Sequence, residues 1–385
     1  MAAGAPLALA YGRDAFAAES IIQPTGIVPA AMLSNAKVAI VSCKSYGPEV
    51  KAALKQSFDL LGGIGSLVKN KTVTVKLNLT GTNFSPVFDR PVGESYMTHS
   101  STAMALAALL FDAGAKRVRF VESTQSRADL ETSISFADWD VNALLALGKV
   151  EFENTRNLGK GKSYSHLKVP SGGYMFSSFD FNHSYEETDV MVSLAKLKQH
   201  ITAGVTLSMK NLFGITPNSL YGDQAGSEDA TAGRGPLHGG DNPEQRRKFA
   251  ELELPGLKKA ATPGNAYYRV PHIVADICAA RPIHLAIIDG ITSMSGGEGP
   301  WCSDAGTLKL TKPGVIITGL NPVSADAVGT AVMGYPNPRA ERGTHPFENC
   351  DNHILLAEQK GLGTADLSKI DVRGVPIAKA IYPYG

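Results

Sequence analysis

At 385 residues, 43% of them hydrophobic and 19% charged, the chain has the length and make-up of a globular protein with a large buried core. Its 37 basic residues almost balance its 36 acidic ones, which excludes the clustered basic excess of a nucleic-acid binder. Cys43, Cys278, Cys302 and Cys350 contain no C-x-x-C spacing, so neither an iron–sulfur cluster nor a zinc knuckle is expected in this chain.

Residues 1–36 read as an N-terminal arm. The small apolar run 2–10 and the triplet Ala15-Phe16-Ala17 resemble the end of an export signal that lacks its basic start. An exported and a cytoplasmic protein both fit that pattern. No apolar run approaches the ~20 residues that span a bilayer.

From Lys37 onward the text alternates short β-rich runs with helical periodicity. VAIVS (38–42) precedes a helix over Glu49 to Leu61, where Val50, Leu54, Phe58 and Leu61 keep helical spacing. A strand at 72–79, an apolar helix at 100–113 closed by Gly114, and a strand at 117–123 follow. The near-continuous apolar runs 189–195 and 284–290 read as strands buried on both faces. Residues 307–310 and 314–319, separated by Thr311-Lys312-Pro313, read as a hairpin. Helices near 325–333 and 354–360 and an edge strand at 370–374 complete the reading. The expected fold is α/β: a mostly parallel sheet with crossover helices, Rossmann-like and doubly wound, with a C-terminal hairpin and helix portion. Residues 37–385 are expected to form one core, interrupted at 216–265 by a lid-like insertion rich in Gly, Asp, Ser and Pro.

The densest polar text is KLKQHITAGVTLSMKNLFG, Lys196 to Gly214, directly after a buried strand. Open parallel sheets bind ligands beyond the carboxyl ends of their strands, so chemistry is expected there. His200 is the candidate acid, base or metal ligand, and Lys210 the candidate partner of an anion. Lys198, Ser208 and Asn211 add polar groups, and Gly204 lets backbone approach a ligand. A helix starting near Gly204 would turn its free amides toward an anion. Other strand ends contribute Asn78, Thr80 and Asn83, then Glu122, Ser123 and Thr124, and finally Asp289. The turn SMSGGEG (293–299) could cradle a phosphate, although it fits no nucleotide-binding pattern. Asp326 is either a helix cap or a site residue. His238 reads as a mobile surface residue, and His345, Cys350 and His353 as an incomplete metal set.

The segments VSLAKLKQH and TLSMKNLFGITP, together with VKLNLTGTN, THSSTAMALAALLFDAGAKRV, VADICAARPIHLAIIDGITSMSGGEGP and GVIITGLNPVSADAVGTAVMG, resemble in order the family called domain of unknown function 362. That resemblance covers roughly 37–335. Many of its members carry an added ferredoxin-like module, which implies an iron–sulfur protein as a partner. A more distant likeness joins His200-x-x-Ala203-Gly204 and Lys210 to the lactate racemase N-terminal domain. There the equivalent lysine carries a nickel-pincer nucleotide and the histidine handles protons, so the likeness implies a metal or nucleotide-derived cofactor. Leu207-Ser208-Met209 departs from that family's Gly-Gly-Arg.

Three functions follow as expectations. The chain is an enzyme performing acid–base chemistry on a small anionic substrate, of racemase, isomerase or oxidoreductase type, with His200, Lys210 and Asp289 catalytic. Alternatively it binds a small molecule or metal without catalysis, or it passes electrons to iron–sulfur proteins.

Overall fold

Aliphatic and β-branched runs at eight places line up into one twisted sheet. They are β1 (Lys37–Ser42), β2 (Thr72–Lys76), β3 (Arg117–Glu122), β4 (Val150–Asn154), β5 (Val190–Lys196), β6 (Leu285–Gly290), β7 (Val315–Gly319) and β8 (Asp371–Gly374). The computed structural model describes residues 36–81, 84–170, 172–240, 242–259, 264–305 and 307–385. Residues 1–35 of the expected arm, and Asn83, lie outside the described residues.

The strand order is β8-β1-β7-β6-β5-β2-β3-β4. The pairs β8–β1, β6–β5, β5–β2, β2–β3 and β3–β4 are parallel, whereas β7 runs antiparallel to both its neighbours. The α/β class and the mostly parallel sheet therefore stand. The expected hairpin does not form. Lys309–Thr311 pairs instead with Ser293–Ser295 in a separate two-stranded ribbon, and β7 enters the middle of the main sheet. All of β7 is buried, and a strand buried on both faces gains more between two strands than at the rim of a hairpin.

Side chains alternate between two layers, as a pleated strand requires. Val38, Ile40, Ala286 and Ile288 belong to one core, and Ala39, Val41, Leu285 and Ile287 to the other. The second core is covered by α1 (Pro48–Leu61) and α2 (Ser100–Asp112). The first is covered by α3 (Leu207–Asn211), α4 (Ala266–Ala280), α5 (Pro322–Val332) and α6 (His353–Gln359). Helices on both faces of a mostly parallel sheet make a doubly wound arrangement.

The segment 216–265 is more ordered than its composition suggests. Short helices at Asn218–Tyr221, Gly235–His238 and Pro243–Ala250 punctuate it. Tyr221, Leu237 and Leu254 are buried in the first core, and Leu257 bridges to Phe176. Those apolar anchors, spaced too irregularly to show a period, hold the segment against the strand ends. Among the described residues no helix is long and apolar enough to cross a membrane.

Candidate functional site

Because β2, β3, β5 and β6 are parallel, their carboxyl ends share one edge, and the loops leaving them meet there. They enclose a cavity of about 390 Å³, within the range of small-molecule sites. Its floor is Lys76, Asn78 and Glu122 from the ends of β2 and β3, together with Asn211. His200, Thr202, Thr206 and Glu298, then Lys210, Phe213, Arg234 and His238, and the half-exposed Trp301 line the rest.

The segment that carries Lys210 is set by a tight turn. Leu207 adopts φ +47, a left-handed conformation that costs a branched residue of order 1–2 kcal/mol. Asp326, at the start of α5, holds that turn in place. Its carboxylate accepts from the Ser208 amide (2.9 Å), the Ser208 hydroxyl (2.5 Å) and the Met209 amide (2.9 Å). The free amides of α3, expected to face a ligand, are thus taken by the Asp326 carboxyl group, and Ser208 with them. Asp326 is the cap.

Burial dominates the electrostatics. It pushes the Lys210 ammonium down to about 8, against the opposing pull of Glu298, and Lys198 down to about 7, again against Glu298. Burial likewise drives His200 well below its usual range, although Glu298 favours its protonation, and it takes His238 to about 4. Both imidazoles are therefore neutral at pH 7. The Thr202 amide donates to His200 Nδ1 at 3.1 Å, which leaves the proton on Nε2. His238 Nδ1 lies 2.8 Å from the Arg234 carbonyl, which only a protonated Nδ1 can use. Burial resists ionisation of Glu298, but His200, the Ile201 amide at 3.0 Å, the Trp301 indole at 3.3 Å and Lys210 outweigh it. Since His200 is itself neutral, the amide, the indole and Lys210 carry most of that effect.

On the floor, Lys76 and Glu122 form an ion pair at 2.5 Å, both side chains almost wholly buried. The Lys210 ammonium lies 4.6 Å from the centre of the Phe213 ring. Among the described residues neither Lys210 nor Arg234 pairs with a carboxylate, so the cavity holds three cations against two anions. Asn78 donates to Asn211 Oδ1 at 3.0 Å, while its own Oδ1, buried, has no partner.

Of the residues singled out from sequence, His200, Lys210, Asn211, Asn78, Thr80, Glu122 and Ser123 line this one cavity. Lys198, Ser208, Gly204 and Asp289 do not. Lys198 is buried, donating to the Tyr96 and Glu298 carbonyls at 2.7 and 3.0 Å and so tying two loops together. Ser208 serves the Asp326 cap. Gly204 (φ +72) faces away, where a Cβ would lie 2.6 Å from the Phe347 ring and 2.8 Å from the Pro346 carbonyl. Gly204→Ala is therefore expected to lower stability by about 2 kcal/mol or more in urea denaturation, with strain and overlap adding. Asp289 belongs to the opposite face of the sheet. It shares the period-two parity of Leu285 and Ile287, toward α1 and α2. There it accepts from Tyr46 at 2.9 Å and Thr102 at 3.1 Å and pairs with Lys196 at 3.5 Å.

The glycine-rich turn is filled by its own chain and leaves no phosphate cradle. A Cβ on Gly296 would strike the Thr307 carbonyl at 2.3 Å, and one on Gly297 the Cys302 side chain at 2.4 Å. His238 is a cavity residue, not a mobile surface one. His345, Cys350 and His353 do not gather. Among the described residues no three His, Cys, Asp or Glu side chains converge to hold a metal ion. Lys76, Arg234, Glu298 and Trp301 escaped sequence reasoning. Lys76 is hidden inside a strand, and the other three lie in text that reads as loop.

Fold and cavity together define an α/β protein with a ligand-sized, cation-rich site at the carboxyl edge of a mostly parallel sheet. The chain belongs to the family described as Domain of unknown function (DUF362), which matches residues 73–331. It is similar to the thylakoid-associated protein sll1697 of Synechocystis, with 26% identity over 185 residues, 48% of this chain and 51% of that protein. A crystal structure of a Thermotoga maritima protein aligns at TM-score 0.35 and 13% identity, covering 66% of this chain and 51% of that one. The chain thus spans about half the length of each.

Proposed function

We propose that this protein is an enzyme that binds a small anion through Lys210 and Arg234 and moves a proton at His200. One observation carries the reading. Among the described residues, a lysine and an arginine that form no ion pair line the same cavity as a neutral imidazole whose tautomer is fixed. A ligand anion would offset the surplus charge, and the free Asn78 oxygen would accept one of its hydroxyl or amino protons.

The His200-to-Lys210 interval shared with the lactate racemase N-terminal domain supports transferring the arrangement of these two residues. The nickel of that family fits poorly, because only two imidazoles and no cysteine line the cavity and no ligand set of three converges among the described residues. Intact mass of the purified protein reads covalent attachment at Lys210. A mass equal to that of the unmodified chain leaves Lys210 as the anchor.

Binding of malonate, followed by calorimetry, tests the anchor. Lys210 titrates near 8, so affinity should hold below that pH and fall as pH rises through it. Lys210→Met should weaken binding ten- to a hundredfold at pH 7 and remove the pH dependence; a flat profile in the wild type would sink the assignment. Incubation with small carboxylates in D2O tests catalysis. Deuterium entering a carbon-bound position, lost in His200→Gln, is the expected result. Binding without exchange across the panel would leave a non-catalytic binder.

A further inference from the structure

Trp301 is 46% exposed, yet several neighbours pack against its ring. Its six-membered ring edge sits between two glycines. A Cβ on Gly299 would lie 2.2 Å from its Cη2, and one on Gly81, at φ +81, would lie 2.7 Å from its Cζ3. The indole N–H donates to Glu298 Oε1 at 3.3 Å, and Tyr96 meets the ring edge-on at 6.0 Å between centroids. Such a seat fixes an aromatic plane without burying it. Trp301 also lines the cavity, so the part of its ring left in water is placed to meet a ligand there.

Lys210, Arg234 and Trp301 line the same cavity, and the Glu298 carboxylate, which accepts from the Trp301 indole, also acts on the charge of Lys210. An anionic group is drawn to Lys210 and Arg234 and repelled by Glu298. Both Glu298 oxygens are already engaged, by the Ile201 amide and the indole, so what Trp301 offers a ligand is its ring. We infer that the ligand is an anion bearing an aromatic or heteroaromatic ring, with its charged group at Lys210 and Arg234 and its ring stacked on Trp301. This rests on the anion-binding reading above and adds the second half of the molecule. Carboxylate and phosphate heads share the chemistry that Lys210 and Arg234 recognise, and the test separates them.

The chain has two tryptophans, and Trp139 is buried against Phe120. Trp139→Phe therefore makes Trp301 the sole indole reporter. Titrating that variant with phenyl phosphate, inorganic phosphate, benzoate and acetate should show quenching of Trp301 by the ringed probes. The better ringed probe should bind about tenfold more tightly than its ringless counterpart, as expected of one stacked ring. Whichever pair binds identifies the head group. In calorimetry, Trp301→Ala should abolish the ringed-over-ringless ratio and Trp301→Phe should restore part of it, which a mere folding defect would not do. Equal affinity of ringed and ringless anions, or a ratio that survives Trp301→Ala, overturns the ring assignment while the anion site stands. Failure of all four probes to bind overturns both readings.

Discussion

Lys76→Met is expected to lower the unfolding free energy by about 3–5 kcal/mol, the range for breaking one side of a buried ion pair. Lys76 Nζ lies 2.5 Å from Glu122 and donates to the Leu77 carbonyl at 2.7 Å. Glu122 cannot turn to water once Lys76 is gone, because its two oxygens also accept from the Leu79 amide at 2.8 Å and the Ser123 amide at 2.9 Å. A carboxylate would be stranded on the cavity floor. The double variant Lys76→Met with Glu122→Gln should recover part of the loss, since it removes the stranded charge and keeps an acceptor for one of the two amides. Urea denaturation of both variants checks this. A single variant within about 1 kcal/mol of the wild type would mean that water reaches the pair and screens it.

Asp326→Ala is the second large effect, and it joins stability to the site. It strands two buried amides and a hydroxyl at the start of α3, each costing about 1–3 kcal/mol, and releases the strained turn at Leu207. We expect a loss of about 3–5 kcal/mol by urea denaturation, and weaker malonate binding because Lys210 is no longer aimed into the cavity. Asp326→Asn, which keeps one acceptor, should lose less. It should also change the pH profile. Burial raises the Asp326 carboxyl to about 7, against the pull of Ser208 and Met209. The folded chain therefore keeps a proton that the unfolded chain releases near 4, and this group makes stability fall as pH rises from about 4 to 7. The difference between wild type and Asp326→Asn should show that slope, levelling off above 7.

The strands and helices were legible in the sequence wherever one period dominated. β1, β3, β5, β6 and α1 appear within a few residues of their expected bounds, because buried strands are written as unbroken aliphatic runs and α1 as an i, i+4 stripe. β7 was visible as a strand but not in its pairing, which depends on a partner far away in sequence. The position of the cavity was legible from the rule of strand ends, and His200 and Lys210 followed from it. Asp289 was misplaced because the rule names an edge and ignores the pleat, whose parity sends that side chain to the far face. Arg234 was invisible and His238 was misread as a mobile surface residue, because both reach the site only through the buried anchors Tyr221 and Leu237, which leave no periodic trace.

The strand order has a bearing on synthesis. Among the described strands β1 comes earliest in the sequence, yet it pairs only with β7 and β8, and Val315 follows Ser42 by more than 270 positions. At roughly 5–20 residues per second, that aliphatic strand waits on the order of 15–50 s with both edges bare. β2 to β6, which supply the cavity floor, can assemble in the meantime. The nascent chain thus carries a sticky leading segment throughout most of translation, the stage at which chaperone capture or aggregation at Val38–Val41 is most to be expected.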